Sequence, residues 1–301
     1  MARYGFVWAG AHAAVDEAER LGVDSLWVGG HITFRAPTSE PVARLATLAA
    51  LSSTLTIGTS IVILPLYPPA LLAKQFADLD RWTGGRLVMG IGVGGEYPPE
   101  FSACQVPLSE RGPRADEAMN VIRRLWTGEQ VSHRGPYFPM DCNRIDPPPC
   151  QAGGPPIVVA GRREAAMRRA ALLGDGWFPY LYSPKRYAAS AEAIREMAGD
   201  AGRDLAGFRW MVFAFVHVDR DGSRARRDAA AILSRRYGRP MDDLVDRVAV
   251  VGDPDQVAAT LGEFVDVGVE HVVLAPLMSA DETDMMAAIV ENVLAPLRGA
   301  R

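Results

Sequence analysis

A short β-branched or aromatic run followed by a segment with helical spacing recurs along the chain. The recurrence predicts strands alternating with helices. RYGFVW (3–8) precedes AHAAVDEAERLG, where Ala14, Ala18 and Leu21 share a helical face and Gly22 stops the helix. DSLWVGG (24–30) leads through a loop to the amphipathic PVARLATLAALSS (41–53). LTIGTSIVILPLYPP (55–69) reads as a buried strand with small residues, Gly58, Thr59 and Ser60, near its start and prolines at its end. Behind it, Leu72, Phe76 and Leu79 repeat at helical spacing. GRLVMGIGVGG (85–95) is the fourth strand, and ERGPRADEAMNVIRRLWTG a long helix.

The proline-rich stretch 131–150 reads as a loop and hairpin excursion. Alternation then resumes with PPIVVAG, DGWFPY and FRWMVFAFVHVD (208–219), each followed by a helical segment. Residues 221–253 read as an inserted pair of helices. Asp253 and Pro254 open the next helix, and HVVLAP (271–276) is the last strand before a helix ending near Leu297. Eight units of this kind, with strands apolar along their whole length, call for a parallel sheet covered on both faces. The expected fold is a (β/α)8 TIM barrel, one domain over residues 1–301, with insertions after strands 4 and 7. An open doubly wound sheet is the alternative.

In a barrel, chemistry belongs at the C-terminal strand ends. GIGVGG (90–95) formally matches a dinucleotide fingerprint, but EYPPEF follows instead of a helix start, so that reading fails. What survives is close backbone approach to something bulky at the mouth of strand 4, or simply a tight turn. His31 ends strand 2, where an imidazole can act as general acid or base or can be an ordinary loop histidine. Arg162 and Arg163 sit where strand 5 meets a helix start, a setting suited to a phosphate. Trp8, Phe34, Tyr97, Phe178 and Tyr180 are placed either to line an apolar pocket or to fill the core.

Composition removes other classes. The chain has 301 residues, 49% of them hydrophobic, enough for a large core, and its net charge of -4 is interspersed, which argues against nucleic acid as partner. No apolar run reaches the roughly 20 residues that span a bilayer, and residues 1–10 lack the apolar core of a signal peptide, so a cytoplasmic location without membrane contact is expected. Three cysteines without a CxxC predict reduced thiols. Five dispersed histidines give no metal site.

With these residues in hand, the chain resembles the bacterial luciferase-like flavin and deazaflavin oxidoreductases. SLWVGGHITF, IGTSIVILPLYPPALLAKQFADLDRWTGGRLVMGIGVGGE, PPIVVAGRREAAMRRAALLGDGWFPYLYSP and VVGDPDQVAATLGEFVDVGVEHVVLAP carry the resemblance in order. It implies that strand 3 ends in a bulge with a cis Ser60–Ile61 peptide backing an isoalloxazine-type ring, with Thr59, Ser60 and Ile61 as cofactor residues. It implies a cofactor approach at Gly92, Gly94 and Gly95, and a phosphate held by Ala160, Gly161, Arg162 and Arg163. His31 matches a histidine acting near the reactive carbon of deazaflavin dehydrogenases, although the acid often found before it is Gly30 here. The family glutamate at the end of strand 4 falls on Gly95, with Glu96 one residue later as the acid. The loop after strand 1 is short, so the pocket is expected to be either wider or closed by another segment.

The resemblance thus implies an oxidoreductase moving a hydride between coenzyme F420 and a small organic substrate at the C-terminal face of the barrel. Its alternatives are an FMNH2-dependent monooxygenase fed by a partner reductase, with FMN as cofactor, and a cofactor-binding relative without turnover. Family members commonly associate, which implies a homodimer.

Overall fold

The computed structural model describes residues 2–277 and 281–299. Its strands are β1 (Arg3–Val7), β2 (Ser25–Val28), β3 (Thr56–Thr59), β4 (Val62–Ile63), β5 (Leu87–Gly92), β6 (Val131–His133), β7 (Met140–Asn143), β8 (Ile157–Val159), β9 (Gly176–Trp177), β10 (Arg209–Val218), β11 (Ala249–Gly252) and β12 (His271–Pro276). Eight of them pair in parallel in the order β1-β2-β3-β5-β8-β9-β10-β12, and β12 returns to β1, which closes a (β/α)8 barrel. β4 continues β3 against the same neighbour, β5.

Strands of this barrel are buried on both faces, which explains their unbroken apolar runs. Phe6, Leu26 and Ile57 have no exposed surface and pack toward the outer helices; full burial of such a side chain contributes about 1.5–3 kcal/mol. Trp27, Val88, Val158, Phe178, Met211 and Val273 fill the interior, with Val7, Ile61 and Phe213 packed on them. At the N-terminal end of the barrel, Ser25 Oγ lies 2.7 Å from His271 Nε2 and accepts from the Trp27 indole at 2.8 Å. Burial first, then Arg3 and Arg209, pull the His271 pKa down to about 3. That buried histidine is therefore neutral and serves the core.

The excursion between β5 and β8 holds helices 98–103 and 111–125 and the antiparallel β6-β7 hairpin. Between β10 and β12 the structure departs from the sequence expectation. Residues 222–237 form a helix, but 245–248 form only one turn, and Ala249–Gly252 is a strand rather than part of a second helix. β10 is ten residues long, so its far end offers free edge to β11. The last helical stretch runs from Glu282 to Gly299 with a π-helical turn at Val290–Leu294.

Candidate active site at the C-terminal face

Three neighbouring strand ends, those of β2, β3 and β5, are locked together by backbone proximity. The Thr59 hydroxyl donates to the Gly90 carbonyl at 2.7 Å, and the Ser60 N–H donates to the Val28 carbonyl at 2.7 Å. The Ser60–Ile61 peptide is cis, as the resemblance implies, and the chain then resumes as β4. Ile61 joins the uppermost layer of the barrel interior with Val7 and Phe213. Ser60 Oγ is buried there with no hydrogen-bond partner among the described residues. A buried hydroxyl without a partner costs about 1–3 kcal/mol, so a bound polar group at this point would relieve it.

The glycines around this bulge are explained largely by the chain itself. A Cβ on Gly92 would lie 2.5 Å from Ile61 Cδ1, and one on Gly94 2.7 Å from Ile63 Cγ2. At Gly95 it would lie 3.2 Å from Arg111 Nε. The space that missing side chains leave is thus filled by the bulge and by the 111–125 helix, not held open. At Gly30 a Cβ would lie 1.9 Å from the Ser39 carbonyl oxygen, so no acidic residue fits at that position.

The acid that partners His31 comes from elsewhere. His31 Nδ1 lies 2.9 Å from Glu100 Oε2, and Glu100 Oε1 accepts the Ile32 N–H at 2.7 Å. Glu100 belongs to the 98–103 helix and its side chain is 1% exposed, whereas that of His31 is 24% exposed. The imidazole also stacks on Phe34, with centroids 4.1 Å apart, and Tyr97 meets Phe34 edge-on. A ring clamped by a carboxylate on one nitrogen and an aromatic on one face has a fixed orientation and tautomer. With Nδ1–H donating to Glu100, Nε2 is left as a proton acceptor.

Glu96 is exposed at the mouth and accepts a short hydrogen bond from the Tyr180 hydroxyl. Burial, then the adjacent Glu96 charge, hold that hydroxyl well above its ordinary pKa. The Arg162 guanidinium covers the other side of Tyr180, 4.6 Å from the ring centre. Arg163 is exposed at the start of the 164–173 helix. Ala160 spends its N–H on the Ile91 carbonyl and Gly161 accepts from the Trp177 indole, so both support the strand end through backbone bonds. Of the aromatics, Trp8 and Phe178 are core residues, 2% and 1% exposed. Phe34, Tyr97 and Tyr180 remain at the mouth.

The 222–237 helix lies beside the mouth on the side of the short first loop. Its Ile232 and Arg236 line a cleft of about 250 Å³ with Val7, Phe213, Ala275 and Leu277. Tyr237, at its C-terminal end, has its pKa pushed up to about 12 by burial and then by the Glu96 charge, which places this end near the β5 loop. The sequence reading thus anticipated a helix in this stretch but not its place beside the mouth, and it missed Glu100 altogether. A faint signal for Glu100 was a glutamate followed by an aromatic in a short segment opened by two prolines.

A parallel barrel with an oriented histidine, two arginines and a serine hydroxyl without a partner among the described residues at its C-terminal face has the layout of an enzyme-type TIM barrel. Its family is shown by sequence: residues 2–271 match the luciferase-like monooxygenase model, and the chain belongs to that family. A phthiodiolone/phenolphthiodiolone dimycocerosates ketoreductase from Mycobacterium bovis is 32% identical over 67% of this chain. The alignment spans 62% of that ketoreductase, less than two thirds of its length. An F420-dependent glucose-6-phosphate dehydrogenase from Nakamurella multipartita is 29% identical, over 93% of this chain and 90% of its own. The coenzyme F420 dependent tetrahydromethanopterin reductase from Methanopyrus kandleri superposes with a TM-score of 0.81 at 18% identity, covering 98% of this chain and 99% of the other, a likeness of fold. No helix among the described residues is long and apolar enough to cross a membrane.

Proposed function

We propose that the protein is an F420-dependent oxidoreductase that interconverts a small alcohol and its carbonyl compound at the C-terminal face of the barrel. One observation carries the reading: the His31–Glu100 pair stands at the end of β2, beside the unpartnered Ser60 hydroxyl at the end of β3. The names of the relatives, a ketoreductase and an F420-dependent dehydrogenase, support the same chemistry.

The donor set fits F420. Ser60 and Ile61, held by Thr59, would support the ring from the bulge, with the backbone of Gly92, Gly94 and Gly95 bounding it. Arg162 and Arg163, at the start of the helix that follows Ala160 and Gly161, would hold its phosphate. Bound F420 would supply a two-electron hydride acceptor or donor.

The remaining work falls to side chains of this chain. His31 Nε2 takes the hydroxyl proton as an alcohol is oxidised and returns it when a carbonyl is reduced. Glu100 keeps the ring in the tautomer this requires and stabilises the imidazolium. Glu96, with Tyr180, is a second proton-bearing group at the mouth. The helix 222–237 keeps water from the reacting carbon, where water would compete for the proton and weaken the electrostatics.

The deciding experiment is equilibrium titration of the purified protein with F420 and separately with FMN, followed by anaerobic turnover of secondary alcohols or ketones. Preferential F420 binding and oxygen-independent turnover are expected; binding of neither ring system would end the reading, and FMN preference with oxygen consumption would replace it by the monooxygenase. A second copy of the chain is the proposed partner, with Leu71 and Trp82 of the 69–83 helix, 54% and 76% exposed on one face, as its contact.

A further inference from the structure

Resting on the alcohol and carbonyl reading, we propose that the substrate is a compact hydrocarbon carrying a carboxylate, with its apolar body in the cleft under the 222–237 helix and its carboxylate on Arg236. The cleft lies between the ends of β1 and β12 and the middle of β10. β1 sits directly between β12 and β2, so the cleft is one strand away from His31.

Among the described residues the lining is apolar with one charge. Val7, Phe213, Ile232, Ala275 and Leu277 contribute hydrocarbon surface, and Arg236 is the charged member. Polar backbone at its margin is engaged: the Ala9 N–H donates to the Glu282 carboxylate, and the Leu277 carbonyl accepts from His217 Nδ1 at 2.8 Å. Pro276 has no N–H to offer. Arg236 packs its guanidinium 5.2 Å from the Phe215 ring centre, which holds the head at the cleft. Among the described residues it forms no salt bridge with an acid, whereas Arg224 and Arg226 of the same helix are paired with Asp219 and Asp246.

An arginine held by an aromatic, unpaired, at the rim of an apolar cleft is a carboxylate receptor, because its planar fork matches that group. The volume sets the size. At roughly 30 Å³ per water-sized heavy atom, 250 Å³ accommodates about eight such atoms. With the carboxylate outside on Arg236, the body of a roughly six- to eight-carbon keto or hydroxy acid fits; a sugar does not, because its hydroxyls would be buried without partners.

The test uses calorimetric titration of the full-length protein, free of cofactor, with octanoate and with octanamide. Octanoate should bind about tenfold more tightly than octanamide. Arg236→Gln should erase that preference while leaving octanamide unchanged, and Ile232→Trp, which fills the cleft, should abolish both. F420 titration of the same three proteins separates the two ideas. Arg236-dependent octanoate binding without F420 binding would sink the redox reading and keep this one. Failure of octanoate to bind, or equal binding by wild type and Arg236→Gln, overturns the carboxylate subsite whatever F420 does. Retained octanoate affinity in a folded Ile232→Trp variant places the ligand elsewhere and also overturns it.

Discussion

Replacing Glu100 with glutamine isolates the tie between the carboxylate and the imidazole, because it keeps shape and volume and removes only charge and one acceptor. In the native protein both oxygens accept, one from Ile32 N–H at 2.7 Å and one at 2.9 Å from His31 Nδ1. A glutamine can satisfy only one of those donors. If its oxygen stays with Ile32, its NH2 faces Nδ1, which must become an acceptor, and the proton moves to Nε2. His31 then has the wrong tautomer for taking a proton. General acid–base catalysis contributes about 10²–10⁴-fold, so His31→Ala should lose that amount, and Glu100→Gln about 10–100-fold, since the wrong tautomer still interconverts. The site's buried bond also costs stability, about 1–3 kcal/mol. The assay is anaerobic turnover followed by F420 absorbance, with kcat and KM separated and a double-mutant cycle against His31→Ala. Loss in kcat with little change in KM is expected, and the double variant should be no worse than His31→Ala alone. Additive losses in the cycle, or native kcat in Glu100→Gln, would refute the dyad, because independent or irrelevant groups behave in those two ways.

Other consequences can be checked separately. His271 has a folded pKa of about 3 against 6.5, so the unfolded chain binds the extra proton between those values; stability is full above pH 6.5 and falls with acid, by about 2 kcal/mol at pH 5, and a His271→Gln variant followed by urea denaturation should show a flatter pH dependence. Gly92→Ala drives a Cβ to within 2.5 Å of Ile61 Cδ1, so it should cost about 1–3 kcal/mol in chemical denaturation and weaken F420 binding by displacing the bulge. Thr59→Val removes a buried hydrogen bond to the Gly90 carbonyl and should lower stability by about 1–2 kcal/mol. Trp82→Glu should convert a dimer into a monomer in light scattering without altering the helical signal in circular dichroism; an unchanged mass would exclude the 69–83 helix as the contact.

How much of this was legible in the sequence depended on whether the cause was local. A parallel strand buried on both faces must be apolar at every position, so β5 and β12 stand out as runs of four or more apolar residues, and Pro69 and Asp253 mark helix starts by their own backbone chemistry. β11 did not stand out because it exists only through a neighbour. AVVG favours a strand through its valines but is too short to register as one, and what gives it a pairing partner is the surplus length of β10 more than thirty positions upstream. The site divides along the same line. His31 was visible because a strand end in a barrel is a privileged position whatever surrounds it. Its partner was not, since a separation of 69 positions between His31 and Glu100 leaves no periodic trace in either segment. Gly30 illustrates why the absence of a neighbouring acid misled: the reason lies in the Ser39 carbonyl, which occupies the space any side chain there would need. A chain whose loop folds back over position 30 must draw its carboxylate from another element, and the short helix opened by Pro98 and Pro99 is the element whose start delivers one. The orientation of the histidine is therefore a property of two loops meeting over the barrel mouth, and substitutions that shift the 98–103 helix without touching His31 should impair proton transfer as surely as a change in the ring itself.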